Sequence, residues 1–166
     1  MNAMVTWTAF TRHAPAMVAA GRKLFYQWDV ALGFLATVRS DGGPRTHPVC
    51  PIVTDEGLFV LIQTGPKQAD LLRDGRYALH SETCPPPRQD DAFYLTGRAH
   101  RVGDAEVEGQ ARAHMVAERN NPVPWPSFPV DVLFELTIET CMLILTEAAD
   151  GFPAGPTVWK AAQHEG

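Results

Sequence analysis

No stretch of this chain is long and apolar enough to cross a bilayer, since a spanning helix needs roughly 18 or more consecutive apolar residues. Cysteine is scarce too. Cys50, Cys84 and Cys141 are odd in number and widely spaced, which excludes a disulfide framework and fits a reducing compartment. His80 and Cys84 have no second pair at ligand spacing, so no metal is expected, and each cysteine reads as structural or incidental. A basic excess is also missing: 14 Lys and Arg against 19 Asp and Glu leave a net charge of −5 and a pI near 5.6. That balance argues against nucleic acid held along an extended basic face, although a single phosphate needs only a local positive pocket. There is no GxxxxGK[ST] phosphate loop and no serine-histidine-acid constellation, so catalytic residues stay unassigned.

With 166 residues, 45% of them hydrophobic, the chain suffices for one domain with a real core, and residues 1–166 are read as one. Near the start, Ala14 to Gly21 is apolar behind Arg12 and mimics a short signal peptide. The apolar positions Ala14, Met17, Val18, Leu24, Phe25 and Trp28 instead keep a helical period straight through Gly21-Arg-Lys23, which predicts an amphipathic helix over about 13–28. A soluble, cytoplasmic protein is the expectation.

From Gly33 onward the pattern is β. Gly33-Phe-Leu-Ala-Thr-Val-Arg39 and Pro44-Arg-Thr-His-Pro-Val-Cys50 flank Ser40-Asp-Gly-Gly43, a strong hairpin signal. A second turn, Asp55-Glu-Gly57, leads into Leu58–Thr64, so three antiparallel strands are expected in sequence. That third strand runs into Gly65-Pro66-Lys67. Thr64 or Gly65 can cap a helix whose early proline needs no backbone hydrogen bond, and Gly75 can end it in a left-handed conformation. Lys67 then sits in the first turn, where the helix dipole disfavours a cation unless an anion is present.

Further strands are read at Arg76–Ser81 and Ala92–Val102, with the proline-rich segment Cys84–Asp91 as the loop between them. Asp104 caps a helix with Val107, Ala111, Met115 and Glu118 on one face. Four prolines between Asn120 and Pro129 then forbid helix and central strand, and Trp125 and Phe128 are expected to pin that loop to the body. Asp131–Thr146 reads as a long strand, alternating at first and apolar on both faces from Cys141 to Leu145. Gly155–Lys160 is a last short strand.

In the order of these elements the chain resembles the pyridoxamine 5'-phosphate oxidase-like family of FMN-binding split barrels, most clearly from Gly33 to Val102. Gly33–Asp41 is similar to the family's first barrel strand, Gly42-Gly-Pro-Arg-Thr-His47 to its turn into the second, and Gly65-Pro-Lys67 with Asp70-Leu-Leu to its phosphate-side helix. Asp91–Arg98 resembles the following strand. The resemblance implies a mainly β fold, a split β-barrel of the FMN-binding type with flanking helices, its barrel covering about 32–161. It also implies a homodimer with the flavin at the interface of paired barrels.

For the site, the resemblance implies that Lys67 and His47 hold the FMN phosphate with help from Thr64. Backbone groups of Pro48, Val49 and Cys50 would line the flavin ring. Gln68 stands where the oxidases have a second cation, Arg98 approaches from the neighbouring strand, and Trp159 and Lys160 reach toward the partner's cofactor. Arg39 and Arg45 read as surface residues flanking the hairpin. Two departures argue against oxidation of pyridoxamine phosphate. Ile52 replaces a lysine that holds the substrate phosphate, and Trp159–His164 does not reproduce an arginine-x-histidine motif. The expected function is an FMN-dependent oxidoreductase or flavin reductase on a small organic substrate. A deazaflavin-dependent reductase, or a flavin- or haem-binding carrier or sensor, stands as the alternative.

Overall fold

Period-two burial decides the sheet. In the computed structural model, which describes residues 3–119 and 131–161, β1 (Gly33–Val38) buries every second residue. It pairs antiparallel with β2 (Pro44–Val49) across the expected hairpin and, on its other side, with β5 (Arg76–Ser81). β5 continues to β6 (Ala92–Arg101), β6 to the long β7 (Val132–Leu145), and β7 to both β4 (Leu58–Ile62) and β8 (Gly155–Lys160). With β3 (Ile52–Val53) beside β4, the strand order is β2-β1-β5-β6-β7-β4-β3. The fold is mainly β, a curled antiparallel split barrel with flanking helices.

The strands that follow one another in sequence do not all lie side by side: β2 and β4 belong to opposite ends of the sheet. Cys50 and Pro51 alone carry the chain from one end to the other, from β2 into β3. The two ends of the curled sheet therefore lie close together without pairing, and the split between them is where a ligand can enter.

Rows of partners crossing the sheet show which residues point inward. One row runs His47, Leu35, Leu79, Leu95, Cys141, Trp159, and Leu35, Leu79, Leu95 and Cys141 in it are fully buried. His47 is thus a polar residue on the core-facing side of β2. The row next to it, on the outward face, runs Pro48, Phe34, His80, Tyr94, Met142, Val158.

β7 changes phase part-way. Ile138 faces Gly97 and Thr140 faces Thr96, so Glu139 is an extra residue, a β-bulge. Before it Phe134, Leu136 and Ile138 are buried; after it Cys141, Leu143 and Leu145 are, while Met142 and Ile144 are only half-buried. The apolar run from Cys141 to Leu145 therefore has one side in the core and the other on the outer face. Opposite the bulge, a Cβ on Gly97 would lie 1.8 Å from the Thr137 carbonyl oxygen. Because backbone cannot yield cheaply there, Gly97→Ala is expected to cost about 1–3 kcal/mol or more. A lowered urea midpoint with an unchanged slope would show it; a wild-type midpoint would mean that the bulge relaxes without cost.

The N-terminal region forms two helices rather than one over 13–28. α1 (Trp7–His13) is capped by the Thr6 hydroxyl, which accepts from the Ala9 N–H at 3.3 Å, and α2 (Pro15–Phe25) restarts at a proline. Trp7 and Phe10 of α1 are fully buried, whereas Trp28 lies beyond α2 and is 62% exposed. α4 (Ala105–Arg119) begins at Asp104, whose carboxylate accepts from the Glu106 and Val107 N–H groups. Its face of Ala111 and Met115 packs with Ile52, Phe59 and Leu133 in a second small core. The loop carrying Trp125 and Phe128 lies outside the described residues. Among the described residues, no helix is long and apolar enough to cross a membrane.

Candidate functional site

The split holds a cavity of about 440 Å³ between β2 on one side and the β4-to-α3 corner on the other. That volume falls within the usual range for small-molecule and cofactor clefts, roughly 300–1,000 Å³. α3 (Pro66–Arg73) starts at Gly65, and no side chain caps it. Its first turn holds no acidic residue, so the positive end of the helix and the Lys67 ammonium converge on the cavity uncompensated. Lys67 has no ion-pair or hydrogen-bond partner among the described residues, and burial lowers its pKa from the ordinary lysine value.

A buried carboxylate one turn further along holds this corner against β2. Asp70 accepts from the Arg45 guanidinium at 2.7 Å, from the Thr37 hydroxyl at 3.0 Å and from Arg73 at 3.3 Å. Burial alone would raise its pKa, yet these donors win and hold it below the usual carboxylate range. Arg45, read from sequence as a surface residue, is thus the clamp between β2 and α3. Arg39 is on the surface as expected, paired with Asp41 in the hairpin.

The clamp brings His47, two residues beyond Arg45 on the same face of β2, beside Lys67. Its Nε2 is inaccessible to solvent and has no hydrogen-bond partner among the described residues. Its pKa is lowered by burial first, then by the positive charges of Lys67 and Arg45, with Asp70 pulling weakly the other way. The free protein therefore carries His47 neutral at neutral pH, and a bound anion would reverse two of these influences.

Of the sequence-predicted residues, His47, Pro48, Val49, Cys50, Thr64 and Lys67 all line this one cavity. The free edge of β2 presents the backbone of Pro48 to Cys50, and Val49, Val60, Leu61 and Met115 supply apolar wall. Three predicted residues lie elsewhere. Gln68, one helical step past Lys67, turns inward and donates to the Ile62 carbonyl at 2.9 Å. Arg98 donates to the Asp74 carbonyl at 2.7 Å, closing the far end of α3. Trp159 packs on Phe10 with ring centroids 4.6 Å apart, while Lys160 is exposed at the end of β8. Gln63, Met115, Arg119 and Asp131 also line the cavity and were not singled out from sequence. They arrive from the β4 end, α4 and the start of β7, and no local motif announces that juxtaposition.

No family model matches the sequence, and no curated protein is a match for it. Solved structures do match. A heme binding protein from Mycobacterium smegmatis superposes with a TM-score of 0.61 at 16% identity, over 86% of this chain and 57% of that one. A Listeria innocua protein provisionally assigned as a pyridoxamine 5'-phosphate oxidase gives 0.58 at 15% identity, over 74% of this chain and 93% of that one. The chain has the pyridoxamine 5'-phosphate oxidase-like split-barrel fold. HutZ, the heme storage protein of Vibrio cholerae, shares it with a TM-score of 0.56 at 22% identity, covering 71% of this chain and 87% of its own. The split barrel thus hosts proteins named for heme binding or storage and one named as an oxidase, and at these identities the likeness concerns the fold. The chain spans little more than half the length of the Mycobacterium protein.

Proposed function

We propose that this split barrel binds FMN in the cavity between β2 and α3 and is an oxidoreductase acting on a small organic molecule, working as a homodimer. The observation that carries the proposal is the uncompensated positive corner: Lys67 without a partner, an uncapped helix start, and a buried His47 Nε2 with nothing to bond, all on one cavity with apolar walls. A dianionic phosphate on a flat apolar ring matches that donor set.

In this reading Lys67 and the α3 start hold the phosphate, and Thr64 stands at the same corner. Val49, Cys50 and Met115 flank the ring, and the β2 edge offers its backbone groups to the ring's polar rim. FMN, when bound, supplies the hydride chemistry; the protein binds, orients and shields it. Pyridoxamine phosphate is not expected to be its substrate. Ile52, which stands where a substrate-phosphate lysine would be, is 1% exposed and packed under α4.

A haem reading draws on one observation, the unpartnered neutral imidazole of His47, which has the chemistry of an iron ligand. The absorption spectrum of the freshly purified protein separates the two. Titration with FMN and riboflavin then tests the phosphate corner: micromolar FMN binding, well above riboflavin, supports it, and equal affinity for the two overturns it.

His47 adds a pH signature. Its pKa is depressed in the free protein and raised by the phosphate, so FMN binding takes up a proton and His47's share of the affinity grows as pH falls. Between about pH 8 and about pH 5.5, the affinity gap between wild type and His47→Gln is expected to widen. Calorimetry in buffers of different ionisation enthalpy should find proton uptake in the wild type in excess of that in the variant. Equal uptake would remove His47 from the phosphate site.

A further inference from the structure

Asp131 is the feature of this cavity that a phosphate does not explain. It lies one residue before β7, across from Gln63, because Val132 is the partner of Ile62. The residue is 9% exposed, both carboxylate oxygens are buried, and neither has a hydrogen-bond partner among the described residues. It shares the cavity with Lys67 and forms no ion pair with it. Buried carboxylates without a donor are rare in folded chains, and a carboxylate can only accept. Three other described residues have an orphaned buried side-chain atom: Thr11, His114 and His47. Only His47 shares this cavity with Asp131. One cavity thus holds an unpaired cation, an unpaired imidazole nitrogen and an unpaired carboxylate.

Resting on the FMN reading above, we infer that Asp131 is a specificity residue that accepts a hydrogen bond from a hydroxyl or ring N–H of the bound flavin, away from its phosphate. The corner at Lys67 takes the anionic end and Asp131 a neutral donor further along the ligand. Flavins carry such donors on the ribityl chain and at the ring N3–H. A haem offers none at its rim, and its propionates would face a like charge. Asp131 thereby favours a flavin over a porphyrin in this cavity, beyond what the positive corner alone can do.

The test is titration of the full chain with FMN, riboflavin and lumiflavin, as wild type, Asp131→Asn, Asp131→Leu and Lys67→Ala. Asp131→Leu is expected to weaken FMN and riboflavin by the same factor, about 10-fold or more, and Asp131→Asn by less because one acceptor oxygen remains. Lys67→Ala should weaken FMN alone. A loss shared by lumiflavin would put the donor on the ring; a loss confined to riboflavin and FMN would put it on the ribityl chain. The melting temperature of free Asp131→Asn should stay at or above that of the wild type, since an unsatisfied charge has been removed. A lower melting temperature with unchanged flavin affinity would make Asp131 structural and overturn the inference. A flavin-binding wild type matched by both Asp131 variants overturns it as well, leaving the phosphate corner intact. A wild type that binds no flavin overturns both readings together.

Discussion

Replacing Lys67 by alanine is expected to weaken FMN binding about 10- to 150-fold, the range for losing a hydrogen bond to a charged group, while leaving riboflavin untouched. The prediction is sharp because Lys67 has no structural duty to lose. It makes no ion pair among the described residues, and it sits at the end of a helix where the dipole opposes its charge. Burial holds its folded-state pKa below the ordinary lysine value. The folded chain therefore binds fewer protons than the unfolded chain in the window below that value, and stability rises with pH there. At neutral pH the charge costs stability, so the free Lys67→Ala protein should melt no lower than wild type. A residue that burdens the free protein and strengthens the complex has the signature of a ligand contact. If FMN affinity is unchanged with the fold intact by circular dichroism, Lys67 is a solvated side chain and the phosphate corner lies elsewhere.

That corner was legible in the sequence for a local reason. Gly65-Pro66 punctuates strand from helix, Gly75 with its φ of +75° stops the helix, and both signals act within a few residues. The hairpin at Ser40–Gly43 and the strands at 76–81 and 155–160 were legible for the same reason. What local signals did not announce was which residues closure of the sheet makes neighbours. The step from β2 to β3 through Cys50-Pro51 looks in sequence like any short connection, yet it crosses from one end of the sheet to the other. Asp131 and Met115 reach the cavity only because β7 and α4 are brought there by that closure. Arg45 looked solvated because its partner Asp70 is 25 residues away on another element. Arg98 alternates correctly onto the exposed face of β6, and that face leads to the C-terminal end of α3 instead of its start.

The outer face of the sheet predicts how assembly and cofactor are linked. Phe34, Tyr94, Met142 and Val158 stand in one row on it, with His80 between Phe34 and Tyr94, and Val158 is 56% exposed. The row ends at Pro48, which also lines the cavity, so a second copy seated on this face would abut the ligand. Leu143 is the wrong place to test this, because it is fully buried in the barrel and a charge there would unfold the chain. Met142 is half-buried on the outer face, directly between Tyr94 and Val158. Met142→Glu should therefore leave the monomer folded while placing an unpaired carboxylate in a dry interface, where desolvation costs several kcal/mol. Dimer and FMN affinity should fall together, because binding that favours the assembled state is linked to assembly. Light scattering and flavin fluorescence on the same sample decide it. A dimeric wild type whose Met142→Glu variant is monomeric yet binds FMN as tightly would separate the interface from the pocket, and a wild-type monomer that holds FMN would remove the interface altogether.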